Sequence, residues 1–125
     1  MKVTESEQII LNLLWDKGNL SIMQMVKVLE EETGWTKHAV ISFLKKMESK
    51  GTVTYEVRNR TKYYSAVPSK GEMAKKESSS LLKKFYNGKL GVMVSSMAEE
   101  NQLSEEDIRD LWNVLQELKE NEMGK

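Results

Sequence analysis

The segment GWTKHAVISFLKKMESKG, residues 34–51, decides the fold that the sequence predicts. Its apolar residues recur at helical spacing and predict one buried stripe on an amphipathic helix. They are Val40, Phe43, Leu44 and Met47. Thr36 suits the N-cap of this helix, and a glycine follows its last turn. The lysines and the only histidine of the chain fall largely on the other side, so the segment predicts a helix with one buried and one basic face.

The predicted basic face carries side chains that suit a DNA major groove. Base edges are read by short polar side chains and by apolar contacts to thymine methyl groups, whereas phosphates attract long cations. The candidates are His38 and Ser42 for base edges, Ile41 for a thymine methyl group, and Lys37, Lys45 and Lys46 for phosphates. The alternative is the solvated helix of a module that binds another protein.

The formal net charge of zero hides an uneven distribution. The formal charges sum to −3 over residues 1–34, to +5 over residues 35–64 and to −2 over residues 65–125. A basic middle between acidic flanks indicates a local anion-binding surface, although a solvated charged surface remains the alternative.

Composition excludes several classes of function. The chain has no cysteine and one histidine, which excludes disulfides, thiolate metal sites and cysteine catalysis. It also has no glycine-rich phosphate loop and no spacing typical of a catalytic triad, so we expect no metal, no cofactor and no enzymatic activity. No apolar run approaches the roughly 18 residues of a membrane span. Since no secretory signal is recognisable either, a cytoplasmic protein without membrane insertion is expected.

Two short helices precede the basic one, and a hairpin follows it. Thr4 and Glu7 form a capping box before an apolar stripe at Ile9, Ile10, Leu13 and Leu14, and a second helix begins after Ser21. From residue 52 the pattern alternates with a period of two around the turn residues 58–60, which predicts a β-hairpin that ends before Pro68.

This order of elements is that of a winged helix-turn-helix, in which the third helix enters the major groove and the hairpin is the wing. Basic residues lie at the expected tip of the wing, where they suit phosphates or the minor groove. They are Arg58, Arg60 and Lys62. We therefore predict a mainly α fold with a small β-hairpin, whose DNA-binding domain spans residues 1–68.

Three further helices are predicted in residues 69–125, which we assign to a helical dimerisation domain. Their apolar stripes are one-sided, and leaving them exposed would forgo roughly 1.5–3 kcal/mol for each large side chain. A second copy of the chain is the expected cover, although folding back on the first domain is the alternative. The expected dimerisation residues are Leu90, Val94, Met97, Ile108, Leu111, Trp112, Leu115 and Leu118.

Several of these segments together resemble the penicillinase-repressor (BlaI/MecI) family along nearly the whole chain. They are TESEQIILNLLW, GWTKHAVISFLKKMESKG, NRTKYYSAV, KKFYNGKL and LSEEDIRDLWNVL. The resemblance implies a homodimeric repressor of β-lactam resistance or related genes, which binds a palindromic double-stranded DNA operator through an N-terminal winged helix.

Compared with the family that it resembles, this chain departs at several positions. After the helix cap, members usually carry proline, lysine and threonine, where this chain has Lys37, His38 and Ala39, and a second threonine is replaced by Ser42. These positions, together with Ile41, are expected to set its own operator preference. In the wing, Lys62 replaces a usual aromatic residue and is expected to strengthen contact with the DNA backbone.

Induction in this family resembles a proteolytic switch driven by a membrane sensor protease. The cut falls in the short helix of the dimerisation domain, and its position in this chain corresponds to the bond between Ser96 and Met97. The resemblance therefore implies a sensor-linked protease as a further partner.

Overall fold

The computed structural model describes residues 2–123, so the outermost residues of the two expected domains lie outside the described part. The fold is mainly α-helical with a small antiparallel sheet, which confirms the predicted class. The helices are α1 (Glu5–Lys17), α2 (Ile22–Thr33), α3 (Lys37–Lys50), α4 (Lys70–Tyr86), α5 (Leu90–Glu99) and α6 (Glu105–Met123). The strands are β1 (Leu20–Ser21), β2 (Val53–Arg58) and β3 (Thr61–Ala66).

The first three helices begin at the caps that the sequence predicts. Thr4 and Glu7 form the full capping box of α1, and Ser21 and Gln24 form that of α2. The hydroxyl of Thr36 accepts a hydrogen bond from the amide of Ala39 at the start of α3. Because these side chains satisfy backbone N–H groups that a helix leaves free, the helix starts could be placed from sequence.

The core lies among α1, α2, α3 and the sheet. Its buried apolar side chains are Ile10, Leu11, Leu13, Leu14, Met25, Leu29, Val40, Leu44, Met47, Val53 and Tyr64. The predicted buried stripe on α1 is wrong at one position. Ile9 is exposed, and Leu11 is fully buried instead. Phe43 is only half-buried, packed at the margin of the core rather than inside it.

The sheet has three strands in the order β1-β3-β2, all antiparallel. The short strand β1 was not predicted from the sequence and pairs with Tyr63 and Tyr64 of β3. The turn between β2 and β3 consists of two residues, Asn59 and Arg60, rather than the predicted three, because Arg58 pairs with Thr61. Both turn residues have positive φ angles, as a type I′ hairpin turn requires.

The chain divides into two compact units within α4. The first unit ends at Ala74 and contains the core, and the second begins at Lys75. Between residues 75 and 122 every side chain is half-buried or exposed, so the second unit has no buried core of its own among the described residues.

Candidate nucleic-acid interface

The basic face of α3 is available to a ligand over most of its length. Its exposed members are Lys37, His38, Ser42, Lys45 and Lys46, and its half-buried members are Ala39 and Ile41. None of its three lysines forms an ion pair with another described residue. The face therefore presents uncompensated positive charge beside short polar groups.

The opposite side of α3 fixes the direction in which this face points. Val40, Leu44 and Met47 are buried in the core. The rings of Trp35 and Phe43 lie 4.9 Å apart at an interplanar angle of 54°, which packs the start of α3 against its second turn. Because the helix is held along one side and capped at its start, it cannot rotate without exposing its apolar stripe.

Lys50, in the last turn of α3, has a different role from the other lysines. Its ammonium donates hydrogen bonds to both carboxylate oxygens of Glu7, at 2.8 and 3.0 Å, and to the backbone carbonyl of Lys2 at 3.1 Å. Lys50 therefore joins α3 to the start of α1 and is not free to bind a phosphate.

Burial of Glu7 would by itself raise the pKa of its carboxyl group. The hydrogen bonds from Lys50 and from the amide of Thr4, together with the positive charges of Lys50 and Lys46, act in the opposite direction. The net effect is a pKa below the ordinary value, so the buried carboxyl group of Glu7 is ionised at neutral pH.

The hairpin is fixed to the end of α3 by backbone hydrogen bonds. The amide of Thr52 donates to the carbonyl of Met47 at 2.9 Å, and its hydroxyl donates to the same oxygen at 3.2 Å. The amide of Val67 in turn donates to the carbonyl of Thr52 at 2.9 Å. These bonds close the hairpin at its base and hold that base against the end of α3.

The three basic residues predicted for the wing are all exposed, but their surroundings differ. Arg58 forms an ion pair with Glu56 at 3.2 Å, and its guanidinium lies 5.9 Å from the ring centre of Tyr63. The ammonium of Lys62 lies 4.3 Å from the ring centre of Tyr55. Arg60 occupies the second position of the turn, with a φ angle of 67°.

The sequence did not predict that Tyr55 and Tyr63 lie beside basic side chains of the hairpin. The alternation of strand side chains, together with the pairing of Tyr55 with Tyr64, places Tyr55 diagonally across from Lys62. That signal was present in the sequence, but it can be read only when the register of the hairpin is known.

The expected dimerisation residues lie in α5 and α6 of the second unit. Five are exposed and three are half-buried, the exposed ones being Leu90, Ile108, Trp112, Leu115 and Leu118 and the half-buried ones Val94, Met97 and Leu111. The bond expected to be cleaved joins Ser96 to Met97 inside α5, and both residues are half-buried.

Two further observations bear on the class of protein. In the part of the chain that the structure describes, no helix is both long and apolar enough to cross a membrane. The same residues include no group of three or more histidine, cysteine, aspartate or glutamate side chains that is arranged to hold a metal ion.

A capped basic helix buried along one side, followed by a hairpin with a basic tip, defines a winged helix-turn-helix protein. Comparison with known proteins assigns its family. The sequence profile described as Penicillinase repressor matches residues 3–117, and the chain belongs to that family. It is therefore a transcriptional repressor that binds DNA and not an enzyme, as the sequence predicts.

Individual relatives agree with this assignment. The penicillinase repressor of Bacillus licheniformis is 25% identical over 118 residues, which cover 94% of this chain and 92% of the relative. The methicillin resistance regulatory protein MecI of Mammaliicoccus sciuri is 20% identical over 114 residues, covering 91% and 93%. A point mutant of Lactococcus lactis ZitR is similar in structure, with a TM-score of 0.51 and 18% identity, covering 97% of this chain and 76% of ZitR. That last likeness supports the fold alone.

Proposed function

We propose that this repressor binds a palindromic operator as a homodimer, with α3 of each copy in the major groove and the hairpin on the adjacent backbone. The observation that carries the proposal is the basic face of α3, where Lys37, Lys45 and Lys46 pair with no acidic side chain of residues 2–122 while the opposite side of the helix is buried. A duplex supplies the missing counter-charge as a regular row of phosphates.

Different residues of the interface have different tasks in this proposal. Lys37, Lys45 and Lys46 bind phosphates, and Arg60 and Lys62 bring the hairpin to the backbone or minor groove. Each phosphate neutralised releases counterions and steepens the fall of affinity with salt by about 0.9 in the logarithmic slope. These contacts position the protein on any duplex and carry no sequence information.

Sequence preference comes from the short side chains at the start of α3. His38 and Ser42 are exposed and can exchange hydrogen bonds with base edges, and the half-buried Ala39 and Ile41 offer apolar contacts. The N-terminal part of a recognition helix is the part that enters the groove most deeply. We assign the operator preference of this protein to these four positions.

The second unit provides the dimer. A unit without a buried side chain between residues 75 and 122 has no core that would stabilise it alone. A second copy covers the exposed apolar side chains of α5 and α6, and each such side chain contributes roughly 1.5–3 kcal/mol when fully buried. A two-fold dimer also matches an operator with inverted half-sites.

Release from DNA follows from a cut in α5 by a sensor-linked protease. Lys89, the N-cap of α5, makes no side-chain capping bond, whereas α1, α2 and α3 are all capped by side chains. An uncapped ten-residue helix opens more easily, and a protease needs an open segment. A cut between Ser96 and Met97 separates α6 from the DNA-binding unit and abolishes the dimer. The names of the relatives indicate β-lactam resistance or related genes as targets.

Selection of duplexes from a random-sequence pool tests the DNA-binding part of the proposal. The full chain should enrich an inverted repeat and bind it at least about 10³-fold more tightly than a scrambled duplex. Ser42→Ala should change the preferred bases within each half-site. Lys45→Ala should weaken binding to the selected and the scrambled duplex by the same factor, because it removes a phosphate contact.

Equal affinity for selected and scrambled duplexes would overturn the proposal of a specific operator. If the chain bound no duplex at all at low salt, its basic face would belong instead to a winged helix that recognises an acidic protein.

A further inference from the structure

The hairpin has two faces with different surroundings. Side chains alternate along each strand, and the register pairs Val53 with Ala66, Tyr55 with Tyr64 and Val57 with Lys62. These residues share one face, which we call the inner face because Val53 and Tyr64 at its base are each only 4% exposed and are packed in the core. The outer face carries Thr54, Glu56, Arg58, Thr61, Tyr63 and Ser65.

Lys62 extends the inner face toward the tip of the hairpin. Its ammonium lies 4.3 Å from the ring centre of Tyr55, and that ring packs at 5.6 Å against the buried ring of Tyr64. Lys62 also lines a concave surface together with Arg60, Thr61 and residues 21–23, at the start of α2. The register places the cation on the inner face of the hairpin, where it is supported by an aromatic pair that is anchored in the core.

Arg58 lies on the outer face and is already partnered. Its guanidinium is bound to Glu56 at 3.2 Å, and the side chains of both residues remain more than half exposed. A phosphate that approached the outer face would meet the carboxylate of Glu56 beside the arginine, and the two charges largely cancel.

We infer that Lys62 is the wing residue that contacts the DNA backbone, that Tyr55 is a positioning residue for it, and that the ion pair with Glu56 keeps Arg58 out of the interface. The inference rests on the proposed function and assigns different roles to two cations of the hairpin. A lysine held against an aromatic ring has lost part of its rotamer freedom before DNA arrives, so less entropy is lost on binding.

The salt dependence of binding separates the two cations. With a selected operator duplex as probe, the slope of log affinity against log salt should become shallower by about 0.9 for each Lys62→Ala copy, or about 1.8 for a dimer. Arg58→Ala removes the same charge from the same hairpin and is the matched control. It should leave the slope within error of the unaltered protein, because Arg58 takes no part in binding. Glu56→Gln releases Arg58 from its ion pair and should steepen the slope by up to about 0.9 per copy.

A double-mutant cycle tests the positioning role of Tyr55. Tyr55→Leu keeps an apolar side chain against Tyr64 and removes the aromatic face, so affinity should fall about 2–5-fold per copy, the factor that an exposed cation–π contact supports. The same substitution in the Lys62→Ala background should cause no further loss. Tyr55→Phe keeps the ring and should bind like the unaltered protein.

Three results would overturn the inference. The first is a salt slope that Arg58→Ala flattens as much as Lys62→Ala does, and the second is simple addition of the effects of Tyr55→Leu and Lys62→Ala. The third is an unchanged slope in Glu56→Gln, which would show that the ion pair is not what keeps Arg58 out of the interface. Failure of the unaltered chain to bind any duplex is a separate result, which overturns the proposed function itself.

Discussion

The ammonium of Lys50 binds both carboxylate oxygens of Glu7, at 2.8 and 3.0 Å, and so ties the last turn of α3 to the first turn of α1. The two residues are 43 positions apart in the sequence. Glu7 is 1% exposed, whereas Lys50 keeps 29% of its side chain in solvent. The pair fixes the far end of α3 while Thr36 fixes its start.

Removal of Lys50 should destabilise the winged-helix unit. Lys50→Met keeps the length of the side chain but leaves the buried carboxylate of Glu7 without its cation. We expect the free energy of unfolding to fall by about 2–3 kcal/mol, less than the loss for a fully buried pair because Lys50 is partly exposed. Urea unfolding followed by tryptophan fluorescence measures this. Lys45→Met, on the exposed face of the same helix, is the matched control and should change stability by less than about 0.5 kcal/mol.

The same pair should make stability depend on acid pH. The pKa of Glu7 is below its ordinary value of 4.5, so the folded state favours the carboxylate relative to the unfolded chain. The stability that the ionised carboxyl group of Glu7 contributes is complete above pH 4.5, and it is lost as the pH falls through the lower pKa of the folded state. Glu7→Gln preserves a capping oxygen, and its deficit in unfolding free energy should therefore be largest near neutral pH and shrink below pH 4.5. A deficit that stayed constant down to the acid limit would contradict this assignment, and Glu5→Gln controls for loss of an exposed charge in the same turn.

The turn of the hairpin should show a conflict between stability and DNA binding. Arg60 has a φ angle of 67°, a left-handed conformation that costs a non-glycine residue about 1–2 kcal/mol. Arg60→Gly should therefore raise the free energy of unfolding by about 1 kcal/mol while weakening operator binding. Arg60→Ala should lose the same affinity without gaining stability, because alanine retains the strain. Thermal unfolding and fluorescence anisotropy with labelled duplex measure the two effects, and unchanged affinity in Arg60→Gly would remove Arg60 from the interface.

The sequence predicted the features of the fold that depend on local signals. The helix starts follow from side chains such as Thr4 and Thr36 that bond to backbone groups three residues away, so a short window contains the whole interaction. Strand β1 could not be predicted in this way. Leu20 and Ser21 form a strand only because β3, some forty residues later, supplies the partner.

The candidate site shows the same division between local and distant information. The helical period separates the basic face of α3 from its buried stripe, so the face could be predicted from sequence. Which cations are paired and which are free could not be predicted from sequence. Lys50 binds a carboxylate that is distant in the sequence, and the surroundings of Arg58 and Lys62 depend on the register of the hairpin.

Assembly should depend on the exposed stripe of α6. Leu115 is 48% exposed and lies one turn from Trp112, which is 61% exposed, so a charge at position 115 would be placed in the middle of the proposed dimer interface. We expect the unaltered chain to sediment as a dimer and Leu115→Lys to sediment as a monomer, because burying an unpaired ammonium costs several kcal/mol. Asn113→Lys adds the same charge on the opposite side of the helix and should remain dimeric. Operator affinity of Leu115→Lys should fall at least about 100-fold, since each half-site then binds without the linked second site. A dimeric Leu115→Lys with full affinity would show that α6 does not form the interface.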